Sequence, residues 1–320
     1  MKIISGAEAV AVDRRPDAPP LSVAIGNFDG VHLGHQVLLR EACRRAAARG
    51  GRSAILTFTP HPARLFAPDR APPLIMSLPR RLELCAEAGI DLAIVQPFSR
   101  AFAAIEADAF VHDVLRRDLD AHDVIVGYDF SFGRGRAGNV ARLLALGDAL
   151  GMGVAVIPQV AVAGVPCSST KVRELVAAGD TPGAAALLGR PFEIEGRVAR
   201  GAARGRQLGF PTANLVPEGE LTPKLGIYAA RARLLEGPRA GEEHAVALSI
   251  GRNPTFAGQT GWRDAVTVEA HLLDFEGDLY DQRLRLLIGP RLRDEQRFES
   301  AAALVAQIAA DVARVRGLSW

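Results

Sequence analysis

Short apolar runs alternate with amphipathic stretches through the first half of the chain. The apolar runs predict buried strands at Leu21–Ile25, Ser53–Thr57, Leu92–Val95, Val124–Val126 and Val154–Ile157. The stretches between them predict helices at Gln36–Arg49, Pro79–Ala88, Glu106–Arg117 and Val140–Leu150. Buried strands separated by helices are typical of a parallel sheet with both faces covered. The pattern therefore predicts an α/β fold of the Rossmann-like, doubly wound type.

The pattern changes near residue 190, where turn signals begin to separate segments with little helical periodicity. These segments predict strands at Phe192–Ala199, Gly226–Leu234, Ala245–Ile250, Val266–Phe275 and Leu284–Ile288. In the last segment, Asp294–Val315, apolar residues recur at helical spacing. The second half is therefore predicted to be mainly β, a small antiparallel β-barrel followed by a C-terminal helix.

The change of pattern also predicts two domains, which a length of 320 residues favours over a single core. Turn signals at Asp180–Gly183 and Gly189–Pro191 mark the junction. We place the domains at residues 1–186 and 187–320.

Composition and charge indicate which cellular compartment and which classes of binding partner to expect. A net charge of +2 is too small to favour nucleic acid or an acidic membrane surface as a partner. Cys43, Cys85 and Cys167 lie far apart, which indicates buried thiols in a reducing compartment rather than a disulfide framework. The uncharged stretch 149–170 is interrupted by prolines and glycines, so we interpret it as strand and turn rather than as a membrane span. We expect a cytoplasmic protein and leave its oligomeric state open.

Candidate chemistry is concentrated where the first predicted strand gives way to a helix, in the segment Gly26–His35. Gly26 and Gly30 allow a tight turn, and the helix N-terminus favours an anion. His32 and His35 stand three residues apart, so both imidazoles point to one side of the first helical turn. Such a pair can donate hydrogen bonds to phosphate oxygens, although it can equally be a helix cap or a surface pair. A metal site would need a third ligand nearby.

Three further segments follow predicted strands at the same edge of the sheet. They are Thr57–Pro62, Gly127–Gly133 and Ser168–Arg173. The last combines hydroxyl groups and free N–H groups at a helix start with an arginine one turn later, which suits an anion.

Together these segments resemble the HxGH nucleotidylyltransferase superfamily in the form of the bacterial FAD synthetases, over about residues 20–185. The resemblance implies attack of the FMN phosphate on the α-phosphorus of ATP, with release of pyrophosphate and without a covalent intermediate. It implies charge stabilisation by His32, His35 and Arg173. The remaining residues that it implicates contact a substrate: for ATP, Gly26, Phe28, Asp29, Gly30, Gly34, Asp129, Ser168, Ser169 and Thr170, and for flavin, Pro60, His61 and Pro62.

Two points of this resemblance stay open. Asp29 and Asp129 are both candidates for holding Mg²⁺ or nucleotide, and Asp129 can equally cap a loop. The chain also departs from the family at Pro166–Cys167, where many relatives carry a basic residue before the Ser-Ser-Thr element.

A glycine-rich segment, Gly196–Leu215, is the main candidate in the second half. The half has no GxxxxGK[ST] motif, so a P-loop kinase is excluded. Glycines in this segment can fold a loop over phosphates, although bare glycines more often form a flexible turn. Thr212 and Asn214 place two oxygen ligands two residues apart on an extended chain, which suits Mg²⁺.

This half resembles the riboflavin kinases from about residue 187 onward, through Gly196–Leu215, Gly226–Tyr228, Ile250–Phe256 and Val268–Phe275. The resemblance implies phosphorylation of riboflavin by ATP, with Glu269 as the base that activates the ribityl hydroxyl. The other residues it implies are Gly196, Gly201, Gly209 and Pro211 for ATP, Thr212 and Asn214 for Mg²⁺, and Arg293 for flavin. The alternative for Glu269 is a solvent-facing strand residue.

The leading hypothesis is therefore a bifunctional flavin enzyme that uses riboflavin, FMN and ATP. One rival is an adenylyltransferase for another acceptor, such as a pantetheine or nicotinate mononucleotide phosphate, with a non-catalytic second domain. The other is a flavin-binding regulator whose sites have lapsed. The intact Thr212, Glu269 and histidine pair argue against the regulator.

Overall fold

The computed structural model describes residues 1–13, 18–201, 205, 208–252 and 266–318. The chain divides into an N-terminal unit, Met1–Pro73 with Leu78–Cys167, and a C-terminal unit, Leu74–Ser77 with Ser168–Trp320. The helices that follow the Ser-Ser-Thr element therefore group with the barrel, whereas the domain limits at 186 and 187 stay a prediction.

Parallel strands form the main sheet of the N-terminal unit. The strands of this unit are β1 (Lys2–Ser5), β2 (Leu21–Ile25), β3 (Arg52–Thr59), β4 (Leu92–Pro97), β5 (Ala121–Gly127), β6 (Ser131–Phe132), β7 (Gly138–Asn139), β8 (Gly153–Ile157), β9 (Ala161–Val162) and β10 (Val165–Pro166). Among the described residues, six of them pair in the order β1-β4-β3-β2-β5-β8, every pair parallel. The predicted doubly wound sheet is confirmed, with β1 as an additional edge strand.

Helices connect these strands. They are α1 (Ala7–Asp13), α2 (Leu33–Ala48), α3 (Pro62–Phe66), α4 (Leu78–Glu87), α5 (Arg100–Ala103), α6 (Ala107–Ala109), which continues into a π-type helix at Phe110–Asp118, and α7 (Val140–Ala149), with 3₁₀ turns at Pro68–Arg70 and Arg134–Arg136. Helix α2 begins three residues earlier than predicted because His32 caps it. All five residues of β2 are buried, so the strand carries the α2 N-terminus on a rigid base.

A closed antiparallel barrel forms the C-terminal unit, as predicted. Its strands are β11 (Phe192–Ala199), β12 (Ala213–Pro217), β13 (Gly226–Leu234), β14 (Glu243–Arg252), β15 (Val266–Leu272) and β16 (Arg283–Arg293), and its helices are α8 (Ser169–Ala178), α9 (Thr181–Leu188) and α10 (Ala301–Arg316). The strands close in the order β11-β12-β15-β14-β13-β16.

Strand β12, helix α9 and the start of helix α10 differ from the predictions, and β14, β15 and β16 have other bounds than predicted. Strand β12 was not predicted, because it is short and begins within the glycine-rich segment. Helix α10 begins at Ala301 rather than Asp294, because Ser300 Oγ accepts a hydrogen bond from the Ala303 N–H at 3.2 Å.

A buried carboxylate on β5 ties the sheet to α2. Asp123 is 1% exposed and accepts hydrogen bonds from Ser22 Oγ at 3.1 Å, Arg45 Nη1 at 3.0 Å and Arg49 Nε at 2.5 Å. Burial raises the pKa of Asp123, but hydrogen bonds from Arg49 and Arg45 outweigh it and hold the pKa below its usual range. The ionised carboxylate therefore stabilises the folded state.

We expect Asp123→Asn to lower the free energy of unfolding at pH 7 by roughly 2–3 kcal/mol, because the arginines lose a charged partner. The lowered folded pKa makes this stabilisation present above the unfolded pKa of about 3.9 and lost as pH falls through the folded pKa. Urea unfolding from pH 7 to pH 3 should show a shallower acid dependence in the variant. The exposed Asp148→Asn serves as a control, and equal losses in both variants would contradict the assignment.

Candidate active sites

The turn after β2 adopts left-handed backbone at more than one residue. Phe28 has φ of 50°, Gly30 of 91° and Val31 of 39°, and the Val31 N–H donates to the Phe28 carbonyl at 3.1 Å. Non-glycine residues adopt positive φ only where their surroundings hold them. Phe28 is fully buried, which supplies part of that restraint.

Arg81 of α4 supplies another part, and it was absent from the residues proposed on sequence. Its Nη1 donates to the Asn27 carbonyl at 2.9 Å, and its Nη2 lies 3.7 Å from Asp29 Oδ1. Thr57 Oγ1 donates to the same Asn27 carbonyl at 3.2 Å. Arg81 and Asp29 are 3% and 1% exposed, so the Asp29 carboxylate, assigned to ATP or Mg²⁺ on sequence, faces a buried guanidinium.

The two motif histidines meet at the start of α2. His32 is the N-cap, and its Nδ1 accepts the His35 N–H at 3.3 Å. The imidazoles stack with centroids 3.7 Å apart and planes 19° apart, and the Phe28 ring meets His35 at 5.3 Å. The pair is thus held as a unit by α2 and by the turn.

Gly34 allows the backbone to approach this pair closely. A Cβ at Gly34 would lie 3.1 Å from Nδ1 and Cε1 of His32 and 3.5 Å from the Cys167 carbonyl oxygen. A Cβ at Gly26 would lie 3.4 Å from the Phe28 ring. Burial raises the pKa of the Cys167 thiol, which disfavours its thiolate form.

The predicted flavin segment follows β3. Pro60 is joined to Thr59 by a cis peptide bond, and His61 caps α3 by accepting the Ala63 N–H at 3.2 Å, with Pro62 in the first turn. Phenylalanine rings with centroids 5.4–6.2 Å apart extend from this segment, and we call them the phenylalanine cluster: Phe58, Phe66, Phe98, Phe102, Phe110, Phe130 and Phe132. Phe66 is 68% exposed at one end. The sequence did not reveal the cluster because its members are spread over 75 positions. They come together only when strands β3, β4 and β5 and the segments after them are folded.

The remaining candidates for ATP lie on separate elements. Asp129 is exposed in the loop after β5, and a Cβ at Gly127 would lie 3.2 Å from its Oδ1. Ser168 caps α8, in the C-terminal unit, by accepting the Lys171 N–H at 3.1 Å. Ser169, Thr170 and Arg173 lie on that helix. Among the described residues no three His, Cys, Asp or Glu side chains form a metal cluster.

In the barrel, strand register brings the predicted metal and base residues together. Asn214 lies opposite Glu269 across β12 and β15, and Ser249 lies opposite Glu269 across β14 and β15. Glu269, Thr212 and Ser249 line a cavity of about 300 Å³. His271 lines it too, and its Nδ1 lies 2.8 Å from the Pro211 carbonyl oxygen.

Thr212 also lines a second cavity, of about 560 Å³, on whose wall lie Pro211, Gly277, Phe275 and Tyr280. Thr212 therefore stands between the two cavities. Both cavities have aromatic side chains and carboxylates on their walls, Phe275 and Glu276 in the larger and Phe298 and Glu269 in the smaller, so two ligands can meet at this threonine.

Two glycines of the glycine-rich segment pack closely against strand β12. A Cβ at Gly201 would collide with the Asn214 side-chain amide, and a Cβ at Gly196 would collide with the Val216 carbonyl. Gly209 has φ of 84°. Residues 202–204 and 206–207 of the segment, and 253–256 of the Ile250–Phe256 motif, lie outside the described residues.

Arg293 lines the smaller cavity and is anchored from behind. Its Nη2 lies 2.7 Å from Oδ2 of the buried Asp311, which also accepts from Gln307 Nε2 at 3.1 Å. Helix α10 thus orients the guanidinium that the sequence assigned to flavin.

Comparison with known proteins decides the family. The FAD synthetase family matches residues 15–171, and the riboflavin kinase family matches residues 188–319. The bifunctional riboflavin kinase/FMN adenylyltransferase of Pseudomonas fluorescens is 38% identical over 95% of both chains, and that of Escherichia coli K12 is 38% identical over 90% of both. The chain belongs to this family. The rival with a non-catalytic second domain loses its basis, because that domain matches a kinase family.

One solved structure matches over the whole length of the enzyme. The crystal structure of the macrolide-efflux protein from Streptococcus pneumoniae superposes with a TM-score of 0.85, covers 100% of both chains and is 28% identical. In the part of the chain that the structure describes, no helix is both long and apolar enough to cross a membrane.

We expect Gly34→Ala to lower FAD formation from FMN about tenfold or more, because the methyl group displaces the His32 ring by a few tenths of an ångström. FMN formation from riboflavin in the same preparation should stay within twofold of wild type. Steady-state assays of both reactions check this, and an unchanged adenylylation rate would show that the close approach at Gly34 is dispensable.

Proposed function

We propose that the N-terminal unit adenylylates FMN at the stacked His32–His35 pair and that the C-terminal unit phosphorylates riboflavin at Glu269. The observation that carries the proposal is the imidazole pair at the N-terminus of α2, beyond the carboxyl end of a central parallel strand. Ligands of open parallel sheets bind at that edge, and helix N-termini favour phosphate.

In adenylyl transfer, an oxygen of the FMN phosphate attacks the α-phosphorus of ATP, and the bond to pyrophosphate breaks. His32 Nδ1 accepts a backbone N–H, so neutral His32 carries its proton on Nε2 and can donate it in a hydrogen bond. His35 adds a donor that stabilises the charge developing on the phosphate oxygens. Positioning and charge stabilisation suffice for this step without a protein nucleophile.

The phenylalanine cluster offers the flavin an apolar surface in this unit. Phe58 lies two residues before Pro60, and the exposed Phe66 ring forms one end of the cluster. Aromatic side chains pack well against a planar ring system such as isoalloxazine. Pro60, His61 and Pro62 lie beside this surface and orient the flavin there.

In phosphoryl transfer, Glu269 accepts the proton of the ribityl hydroxyl as the oxygen attacks the γ-phosphorus, and ADP leaves. The 300 Å³ cavity that holds Glu269 and Arg293 takes the flavin, and the 560 Å³ cavity lined by Pro211 and Tyr280 takes ATP. Thr212 lines both cavities, so the γ-phosphate and the hydroxyl meet beside it.

Thr212 and Asn214 would hold Mg²⁺ in this site. Their side chains supply a hydroxyl and an amide oxygen, ligands that Mg²⁺ accepts together with phosphate oxygens and water. The Gly201 backbone lies so close to the Asn214 amide that any side chain there would fill the space. Bound Mg²⁺ would neutralise charge on the transferred phosphate.

We expect His35→Ala and Glu269→Gln to abolish one activity each. His35→Ala should lower FAD formation from FMN at least ~10²-fold by removing a preorganised donor. Glu269→Gln should abolish FMN formation from riboflavin but leave conversion of added FMN to FAD intact. Supplying riboflavin or FMN separately, with ATP and Mg²⁺, measures each step. Loss of both activities in either variant would argue against separate sites, and near-normal FAD formation in His35→Ala would overturn the adenylylation site.

We expect Thr212→Val to raise the Mg²⁺ concentration for half-maximal kinase activity about tenfold, because one oxygen ligand is lost. Thr212→Ser keeps the hydroxyl and serves as the matched control. The Mg²⁺ dependence of adenylylation should not move. An identical kinase titration for Thr212→Val and Thr212→Ser would rule out a metal contact through this hydroxyl.

A further inference from the structure

We propose that Arg81 is a positioning residue for adenylyl transfer. Its guanidinium sets the backbone of the Asn27–Asp29 turn and, through Phe28, the place of the histidine pair. The inference rests on the proposed adenylylation site and extends it to a residue of α4.

Arg81 contacts the turn directly. The guanidinium donates to the Asn27 carbonyl at 2.9 Å and lies 3.7 Å from the Asp29 carboxylate. It thus bridges the residues on either side of Phe28. A planar guanidinium can direct two donors in a fixed geometry, which a lysine ammonium cannot reproduce.

Burial of Arg81 beside the turn costs desolvation free energy. Arg81 and Asp29 are 3% and 1% exposed. Burial of an ion pair stabilises a fold weakly, because desolvation offsets the attraction, whereas removal of one partner leaves an uncompensated charge. A pair held this deep is therefore better explained by the geometry that it imposes than by net stability.

Phe28 connects the turn to the imidazoles through ring contacts. Phe28 has φ of 50°, a conformation that a bulky residue keeps only when its neighbours are fixed. Its ring lies 5.3 Å from His35, and His35 stacks on His32 at 3.7 Å. A shift of the turn is therefore transmitted to both histidines through ring contacts.

Arg80 offers a matched control on the same helix. It is 5% exposed, and its Nη1 lies 3.1 Å from Glu83 Oε2 and 3.0 Å from Glu87 Oε1, both on α4. Arg80 and Arg81 are thus similarly buried and each is ion-paired, Arg80 with two exposed carboxylates and Arg81 with a buried one. The two glutamate partners of Arg80 lie on α4 itself, whereas Arg81 contacts the turn of the site.

The test compares Arg81→Met, Arg81→Lys and Arg80→Met in the full chain, with kcat and KM measured for FMN and for riboflavin. Arg81→Met should lower the kcat of adenylylation about 10²-fold while KM for FMN stays within about twofold, because misplaced histidines weaken the transition state rather than flavin binding. The adenylylation kcat of Arg81→Lys should lie between those of Arg81→Met and wild type, at least about fivefold below wild type. Kinase activity should be unchanged in all three variants.

Arg80→Met should keep its adenylylation kcat within about twofold even where its melting temperature falls as far as that of Arg81→Met. Equal losses of kcat in Arg80→Met and Arg81→Met, or a kcat within threefold of wild type in Arg81→Met, would overturn the inference. If Arg81→Met does not fold, the kcat of Arg81→Lys decides, and a value equal to wild type overturns it. His35→Ala is measured alongside: loss in His35→Ala with full activity in Arg81→Met refutes only this inference, whereas full activity in His35→Ala refutes the proposed site.

Discussion

The turn between β2 and α2 is the constraint on which the N-terminal site depends. The strand below it is fully buried, and α2 begins at Leu33, capped by His32, which directly follows the turn. Two side chains from elsewhere hold the turn through three contacts: Arg81 and Thr57 at the Asn27 carbonyl, and Arg81 again at Asp29. A flexible glycine turn alone could not keep two imidazoles stacked. The site is rigid because the buried strand, the capped helix and the buried Arg81–Asp29 pair hold the turn in one conformation.

The barrel solves a similar problem by register rather than by a turn. Strand β15 lies between β12 and β14, so Glu269 has Asn214 on one side and Ser249 on the other. A shift of one residue in either pairing would move Glu269 to the opposite face. Barrel closure removes the free edges and leaves little freedom for such a shift. In both units, therefore, the proposed reactive groups lie on regular elements or directly beside them.

Elements with strong periodicity were predicted well, and elements that depend on distant partners were not. The fully buried β2 and the barrel strands β11 and β13 have the predicted bounds, because their apolar runs reflect burial directly. Strand β1 was missed because most of its residues are exposed, and its pairing with β4 is supplied by the chain ninety residues later. Helix α10 begins later than its apolar periodicity suggests, since periodicity marks a face and the Ser300 cap marks the start.

The sequence by itself determined the fold class of each half and the family, and it proposed the histidine pair, the Ser-Ser-Thr element, Thr212, Asn214 and Glu269 as functional residues. Such motifs are local, so residue type and spacing are enough to expose them. Only the tertiary structure decided that Asp29 faces Arg81, that Asp311 anchors Arg293, that Thr212 borders two cavities, and that seven phenylalanines form one cluster. These relations join residues far apart in the chain, and a buried charge or an aromatic contact leaves no periodic mark on the sequence.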